Sequence, residues 1–556
     1  MAIYGADTEE GETVVLEGLM QNDFQLTVGA IRRRMAACYG DREVVTLQED
    51  PAPPTRATYA EVAERVDRLG RVLERLGVQA GDRVATFGWN SQRHFELYLA
   101  IPSYGAVLHT INIRLFPEQI SYIVDHADDQ VIFVDDSLAP ALAKLAGRFK
   151  GVRHFVVMGD GDDGGLPNAL RYEDLLAEAE AGPYEWPEVD ERAAAALCYT
   201  SGTTGNPKGV LYSHRSVALH STAVCMADAV GLSGADRVVA IVPMFHVNAW
   251  GLPFAAAMTG AGLIMPNRFV AAAPLARAIT TEKATLVAGV PTVLGDLLRF
   301  ADEQKPDLGS LRGGICGGAA VPRNLMEGFE RHGIRILQAW GMTETSPLCT
   351  IARPPAEHDD ADAEEHWTYR TSVGRIMPWV ELRLVDDSGE TVPRDGESTG
   401  EIEVRGPWIA RRYYEDASGD DKFDDGWLRT GDIGSVTDEG YVRITDRAKD
   451  LIKSGGERIS SVEVEGELME HPAVLEAAVI AMPDERWSER PLACVVLGDG
   501  EQADKTVLRK HLASRMAGWQ VPDKFAFIDE VPKTSVGKFD KKVLRQRLKD
   551  GELEVS

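Results

Sequence analysis

The stretch YTSGTTGNPKGV, residues 199–210, gathers three glycines, four serine or threonine hydroxyls and a lysine into twelve positions. That mixture suits an anionic phosphate. Glycine lets backbone N–H groups approach oxygens closely, Thr200, Ser201, Thr203 and Thr204 offer hydroxyl donors, and Lys208 adds positive charge. The stretch is not a Walker loop, G-x-x-x-x-G-K-[ST], because Pro207 stands where the second glycine is required. A flexible turn between two strands would account for the glycines, but it has no need of so many donors beside a lysine.

Four later segments share this character: QAWGMTETSP (338–347), GWLRTGDIG (426–434), DRAKDLIKSGGERISSVEVE (446–465) and PKTSVGKFDKK (532–542). In this order, and together with the first stretch, they resemble the core motifs of the adenylate-forming superfamily, which includes acyl-CoA synthetases, firefly luciferase and the adenylation domains of peptide synthetases. The resemblance runs over nearly the whole chain. Within the superfamily, PMFHVNAWGLPF at 243–254 looks most like fatty acyl-CoA ligases, with methylmercaptopropionate-CoA ligases close by.

The resemblance implies two steps, in which a carboxylate first attacks the α-phosphate of ATP and the thiol of coenzyme A then displaces AMP. It implies that Lys538 is catalytic, reaching the α-phosphate and the substrate carboxylate. Glu344 binds Mg2+ with Thr200 as second contributor, and the loop Thr200, Ser201, Gly202, Thr203, Thr204, Gly205 and Lys208 wraps the departing phosphates. Asp432 meets the ribose hydroxyls with Arg447 alongside. Trp340 faces adenine, Gly318 and Ala319 leave room for it, and Gln338, Ala339, Gly341, Met342 and Thr343 complete the ATP site. His246 lies by the substrate carboxylate, and Val247, Trp250, Val290, Pro291 and Thr292 line the acyl pocket, with Trp250 in the place of an aromatic gate. Lys449 takes the hinge position of DRAKD, and Lys453, Ser454, Gly455, Gly456 and Glu457 form the loop along which CoA passes after the C-terminal domain turns.

These residues need elements to hold them. TYAEVAERVDRLGRVLERLGV predicts an amphipathic helix, opened by a capping box at Thr58 and Glu61. Strand and helix patterns then alternate through DRVATFGW, SQRHFELYLAIPSYGAV, LHTINI, EQISYIVDHA and DQVIFVDD, and again after the first motif, as in a parallel α/β sheet. From about residue 375 short glycine-punctuated β segments suggest a β-rich subdomain, and a region with its own capping box, Ser460 and Glu463, follows DRAKD. The expected fold is α/β and multidomain: a large N-terminal domain (1–447) of two α/β layers plus a β-rich subdomain (about 375–445), and a small mobile α+β C-terminal domain (448–556).

Composition bounds the partners. With 59 basic against 87 acidic side chains the net charge is -28, which repels a nucleic-acid backbone. An anionic substrate must therefore be met by local donors. Six scattered cysteines with no C-x-x-C pair suggest neither disulfides nor zinc and fit a reducing cytosol. The apolar run GLPFAAAMTGAGLIMP (251–266) is shorter than the roughly 20 residues of a membrane span. GDGDDGG (159–165) and EHDDADAEEH (357–366) read as solvated loops rather than metal sites. The expected enzyme is a cytoplasmic medium- or long-chain fatty-acid-CoA ligase using ATP, Mg2+ and coenzyme A, leaning to a homodimer. Its alternatives are a ligase for a short thioether or aryl acid, a non-catalytic nucleotide or CoA binder, or luciferase-type chemistry.

Overall fold

A computed structural model describes residues 18–200, 206–359, 364–416, 421–454, 457–498, 500–534 and 538–556. The helix Tyr59–Arg75 starts as its sequence predicts: the Thr58 hydroxyl accepts from the Glu61 N–H, and the Glu61 carboxylate accepts from the Thr58 N–H at 2.7 Å. Its stripe of Val62, Val66, Leu69, Val72 and Leu73 is buried, so the helix is held by packing of one face.

Three sheets organise the chain. The first has seven strands in the order Leu170–Arg171, His154–Met158, Asp129–Asp135, Arg83–Phe87, Val107–Thr110, Ala194–Tyr199, Gly209–Ser213, all parallel except the last pair. That antiparallel hairpin carries the opening motif, with Tyr199 paired to Gly209 at its mouth. Strands such as Asp129–Asp135 read as nearly continuous apolar runs because helices cover both faces.

The second sheet has fourteen strands. Glu43–Thr46, Gly262–Met265, Arg237–Ala240, Leu286–Gly289, Gly313–Gly317 and Arg335–Gly341 lie parallel. From Leu348–Ile351 onward the pairing is antiparallel, through Gly374–Ile376, Tyr441–Arg447, Trp427–Val436 and Gly400–Arg405 to Glu381–Val385. The switch to antiparallel pairing thus comes at Leu348–Ile351, ahead of the change of texture near residue 375, and the β-rich segments continue one sheet. The third sheet pairs Ile452–Ser454 with Glu457–Ile459 and with Ser488–Leu497, which also meets Val474–Asp484 and Lys524–Phe527. Helices Ser461–Met469, Lys505–Ala513 and Lys541–Lys549 accompany it, and its apolar clusters contain no residue before Ile452. The architecture is a large N-terminal α/β domain with a smaller α+β C-terminal domain.

Two local expectations change. Ser460 caps its helix through the Glu463 N–H at 3.0 Å, but the Glu463 side chain accepts from Gln520 Nε2 at 3.4 Å instead of turning back to Ser460, so the box is half made. In the acidic run, His366 is fully buried on the helix Glu364–Arg370 between the His358 carbonyl (3.0 Å) and Arg370 (3.1 Å), so this end is packed structure and not a solvated loop. Residues 251–266 fold as the helix Leu252–Thr259 and the strand Gly262–Met265. Among the described residues no helix is long and apolar enough to cross a membrane.

Candidate active site

A cavity of about 1790 Å³ opens where the carboxyl ends of the parallel strands, the mouth of the 194–213 hairpin and the C-terminal domain converge. Carboxyl ends of parallel strands are where open α/β sheets place ligands, because side chains and loop N–H groups project there without neighbouring strands.

At one end lies Asp432, 5 % exposed, on the strand Trp427–Val436. Its two oxygens accept from Trp340 Nε1 (2.9 Å) and pair with Arg447 Nε (3.2 Å). Each carboxylate oxygen has a second lone pair, so Asp432 is oriented by protein and still able to accept two hydroxyls. Trp340 is thereby fixed in place. Just after it the pairing shifts register at Gly341, where a Cβ would stand 1.7 Å from the Pro347 carbonyl oxygen, so this close backbone approach requires glycine. Gln338 Oε1 accepts from the Val321 N–H at 3.1 Å, which holds the loop of Gly318 and Ala319 against the cavity.

Glu344 sits in the single turn Thr343–Thr345, 6 % exposed. Its Oε1 accepts from the Tyr413 hydroxyl at 2.7 Å, its backbone oxygen from the Ala410 N–H at 2.7 Å, and the Thr343 carbonyl from the Tyr212 hydroxyl at 2.7 Å. One buried carboxylate is thus aimed from a braced turn. Lys208 lies 4.9 Å from the Tyr413 ring centroid and 3.8 Å from Asp416. Thr200 and Lys208 close the hairpin mouth, where the Thr200 N–H donates to the Lys208 carbonyl at 2.9 Å. Of the predicted loop, Ser201, Gly202, Thr203, Thr204 and Gly205 lie outside the described residues.

Lys538 reaches into this cavity from the C-terminal domain, its Cε 3.4 Å from the point a Cβ on Gly318 would occupy. Gly318 has φ +85°, so it serves both the turn and the close approach. Burial lowers the Lys538 pKa to about 8; Arg447 pushes the same way, while Asp432 and Glu344 oppose it. His246 is pushed down to about 3, first by burial, then by the charges of Lys538 and Arg114. It is therefore a neutral imidazole at pH 7, able to donate one hydrogen bond but not to supply a cation. If charged Lys538 serves the free enzyme, kcat/KM for adenylate formation falls as pH rises through about 8, and Lys538→Arg, with its far higher pKa, removes that limb. A profile flat to about pH 10 would contradict this assignment.

The apolar wall contains an uncommon backbone. Val247, Asn248, Ala249 and Trp250 have φ of 46°, 50°, 50° and 56°, one turn of left-handed helix ended by Gly251. For residues with a Cβ this conformation costs roughly 1–2 kcal/mol each, so the surroundings must impose it. One restraint is visible: Asn248 Oδ1 accepts from the buried Cys198 thiol at 2.9 Å, tying the turn to the strand that leads into Thr200. The turn carries Val247 and Trp250 to the cavity, with Val290 facing them. Pro291 and Thr292 do not border it, because they begin the helix Pro291–Gln304 and lead the chain away.

Among the predicted CoA-loop residues, Lys449 borders the cavity, whereas Lys453, Ser454 and Glu457 do not. The Lys453 N–H donates to Glu489 Oε2 at 2.8 Å, and the Ser454 hydroxyl is 3.3 Å from Arg490, both within the C-terminal sheet. Gly455 and Gly456 lie outside the described residues. Sequence reading missed Tyr413, Asp416 and Arg114. The only local signal for the first was an aromatic pair, Tyr413–Tyr414, inside a charged stretch, and Arg114 follows a strand with nothing to mark it.

Comparison with known proteins gives the family. The family described as AMP-binding enzyme matches residues 33–414, and the AMP-binding enzyme C-terminal domain matches residues 463–538. A long-chain-fatty-acid–CoA ligase of Thermus thermophilus is 45 % identical over 97 % of this chain and 99 % of its own. A 3-methylmercaptopropionyl-CoA ligase of Ruegeria lacuscaerulensis is 42 % identical over 94 % and 98 %. The crystal structure of the anthranilate CoA ligase AuaEII in complex with anthranoyl-AMP superposes with a TM-score of 0.85 at 28 % identity, covering 96 % of this chain and all of that one. With both family regions matched in order, and relatives of this identity along nearly their full length, the chain belongs to the AMP-binding enzyme family.

Proposed function

We propose that the protein is an ATP-dependent carboxylic acid–CoA ligase that activates medium- or long-chain fatty acids. The observation that carries this reading is a single cavity bordered both by Lys538, Glu344 and Asp432 and by the apolar side chains of Val224, Val230, Ala288 and Ile315. In the first step a carboxylate oxygen attacks the α-phosphorus, the bond to the β-phosphate oxygen breaks, and pyrophosphate leaves. Lys538 offsets charge on the two anionic reactants, and the neutral His246 donates to the carboxylate. Asp432, held by Trp340 and Arg447, accepts from the ribose, while Thr200 and Lys208 hold the outgoing phosphates. In the second step the thiol attacks the acyl carbon, loses its proton, and AMP leaves.

Among the described residues no cluster of three His, Cys, Asp or Glu side chains forms a ready metal cage. Glu344 and the Thr200 hydroxyl, which both border the cavity, fit Mg2+, an ion that favours one or two carboxylates plus substrate phosphates. When bound, Mg2+ would supply charge neutralisation between the phosphates.

The second step needs Lys538 withdrawn and the 453–457 segment brought in. A boundary at 447/448 with its pivot at Lys449 is supported by the short span 448–451 between the strands Tyr441–Arg447 and Ile452–Ser454. The polar contacts across that boundary include Asn324 Nδ2 to the Met469 carbonyl (3.0 Å) and the Arg458–Asp387 pair away from the hinge and, beside it, the N–H and hydroxyl of Ser461 on the buried Asp446 carboxylate (2.5 and 2.6 Å), which a rotation must carry along or break.

The test is ATP- and CoA-dependent turnover of straight-chain acids from propionic to stearic. Each methylene buried beyond Trp250 contributes about 0.8 kcal/mol, so kcat/KM rises about fourfold per carbon until the apolar wall ends. A short thioether acid is the second reading, favoured by the 42 % identical relative. A sharp optimum at three to four carbons would choose it over fatty acids.

A further inference from the structure

A second cavity, of about 300 Å³, shares Val230 and Ile315 with the main one. Strand register shows how the two are joined. Gly317 pairs with Ala339; two residues back Ile315 pairs with Ala288 and Leu337; two further back Gly313 pairs with Leu286 and Arg335. Alternate residues of a strand share a face, so Gly317, Ile315 and Gly313 form one floor on which only Ile315 has a side chain. At the Gly317 end stands Trp250, its Cη2 3.4 Å from where a Gly317 Cβ would be. The Gly313 end opens among Arg312, Arg335 and Arg353.

The arginines are unequal. Arg312 is held by both oxygens of Asp236 (2.8 and 3.0 Å) and Arg335 by Asp359 (2.7 and 3.0 Å). Arg353 donates from Nη2 to the Ala229 carbonyl at 2.9 Å, and Asp228 and Asp359 act on its charge from a distance, without a hydrogen bond to it. A methyl end arriving here would gain little beside three guanidinium groups, whereas a carboxylate would meet in Arg353 the one of the three that, among the described residues, has no carboxylate hydrogen-bonded to it. Four residues of strand span about 13 Å, which about ten methylenes cover, given C–C bonds of roughly 1.5 Å in a zigzag.

We propose that the acyl channel crosses the Val230–Ile315 divide and that the arginine-lined chamber receives the distal carboxylate of a long α,ω-dicarboxylic acid. This rests on the ligase reading, since the near carboxylate must be activated at Lys538. Short dicarboxylic acids would set their second charge against Val230, Ala288 and Ile315 and be rejected. Long ones would clear the divide.

The experiment is kcat/KM for monocarboxylic and α,ω-dicarboxylic acids of equal length, in the full-length enzyme with ATP and CoA. The dicarboxylic-to-monocarboxylic ratio is expected to be below about one hundredth at short lengths, the scale on which a pocket rejects a misplaced polar group, and to rise at least tenfold beyond about twelve carbons. Arg353→Met should lower the ratio at long lengths tenfold or more. Ile315→Trp, which closes the divide, should do the same and move the monocarboxylic optimum to shorter chains. A ratio that never rises with length, or that ignores both substitutions, overturns the chamber assignment while leaving the ligase reading intact. If no monocarboxylic acid is turned over at any length, the ligase reading itself fails and this proposal with it.

Discussion

Lys538→Ala is expected to slow acyl-adenylate formation from acid and ATP by two to three orders of magnitude, roughly the loss seen when one preorganised charge-stabilising donor is removed from an active site. Thioester formation from a supplied acyl-adenylate and CoA is expected to change little. The asymmetry follows from position. Lys538 belongs to the C-terminal domain yet lies inside the cavity beside Gly318, where Asp432, Glu344 and Arg447 all act on its charge. Only the first step gathers a carboxylate and a triphosphate around that ammonium. The second step is proposed to use Lys453, Ser454 and Glu457, which do not border the cavity that Lys538 enters. Separate assays of the two half-reactions check this, and an equal fall in both would remove the case for two orientations.

Glu344→Gln is expected to lower adenylate formation by roughly 10²–10³-fold, with partial recovery at raised magnesium concentration. The substitution keeps the shape and can still accept from Tyr413, whose hydroxyl is 2.7 Å from Oε1, so the turn Thr343–Thr345 should hold. What is lost is the buried negative charge. Tyr413→Phe, which keeps the charge and removes its brace, should have a far smaller effect. Magnesium titrations of both variants against the parent separate charge from positioning; equal losses would make Glu344 a structural residue.

Much of this molecule is legible from local pattern. The Thr58 capping box, the strand patterns and each of the five motifs depend on residues near one another in sequence, and the structure brings Thr200, Lys208, Glu344, Asp432, Arg447 and Lys538 to one cavity. What escaped notice depends on pairing over long distances. Nothing in GEIEVRGP or GYVRITD says that these strands extend the central sheet through Leu348–Ile351, because register is settled by contact between segments far apart in the chain. The left-handed turn at 247–250 has no glycine before its end, and no propensity argument finds it. Tyr413 became a site residue only through a partner 69 positions away. Pro291 and Thr292 went astray for the opposite reason: a motif suggested a pocket wall where helix geometry turns the chain aside.

The central claim is that one carboxylic acid is joined to AMP before CoA takes part. Exchange of labelled pyrophosphate into ATP, measured without CoA and with straight-chain acids from propionic to stearic in turn, tests it most directly. The account predicts exchange that requires the acid, grows with chain length, falls by two to three orders of magnitude in Lys538→Ala, and gives way to AMP, pyrophosphate and acyl-CoA in equal amounts once CoA is added. Absence of exchange with every acid, or formation of ADP and phosphate in place of AMP and pyrophosphate, would contradict it.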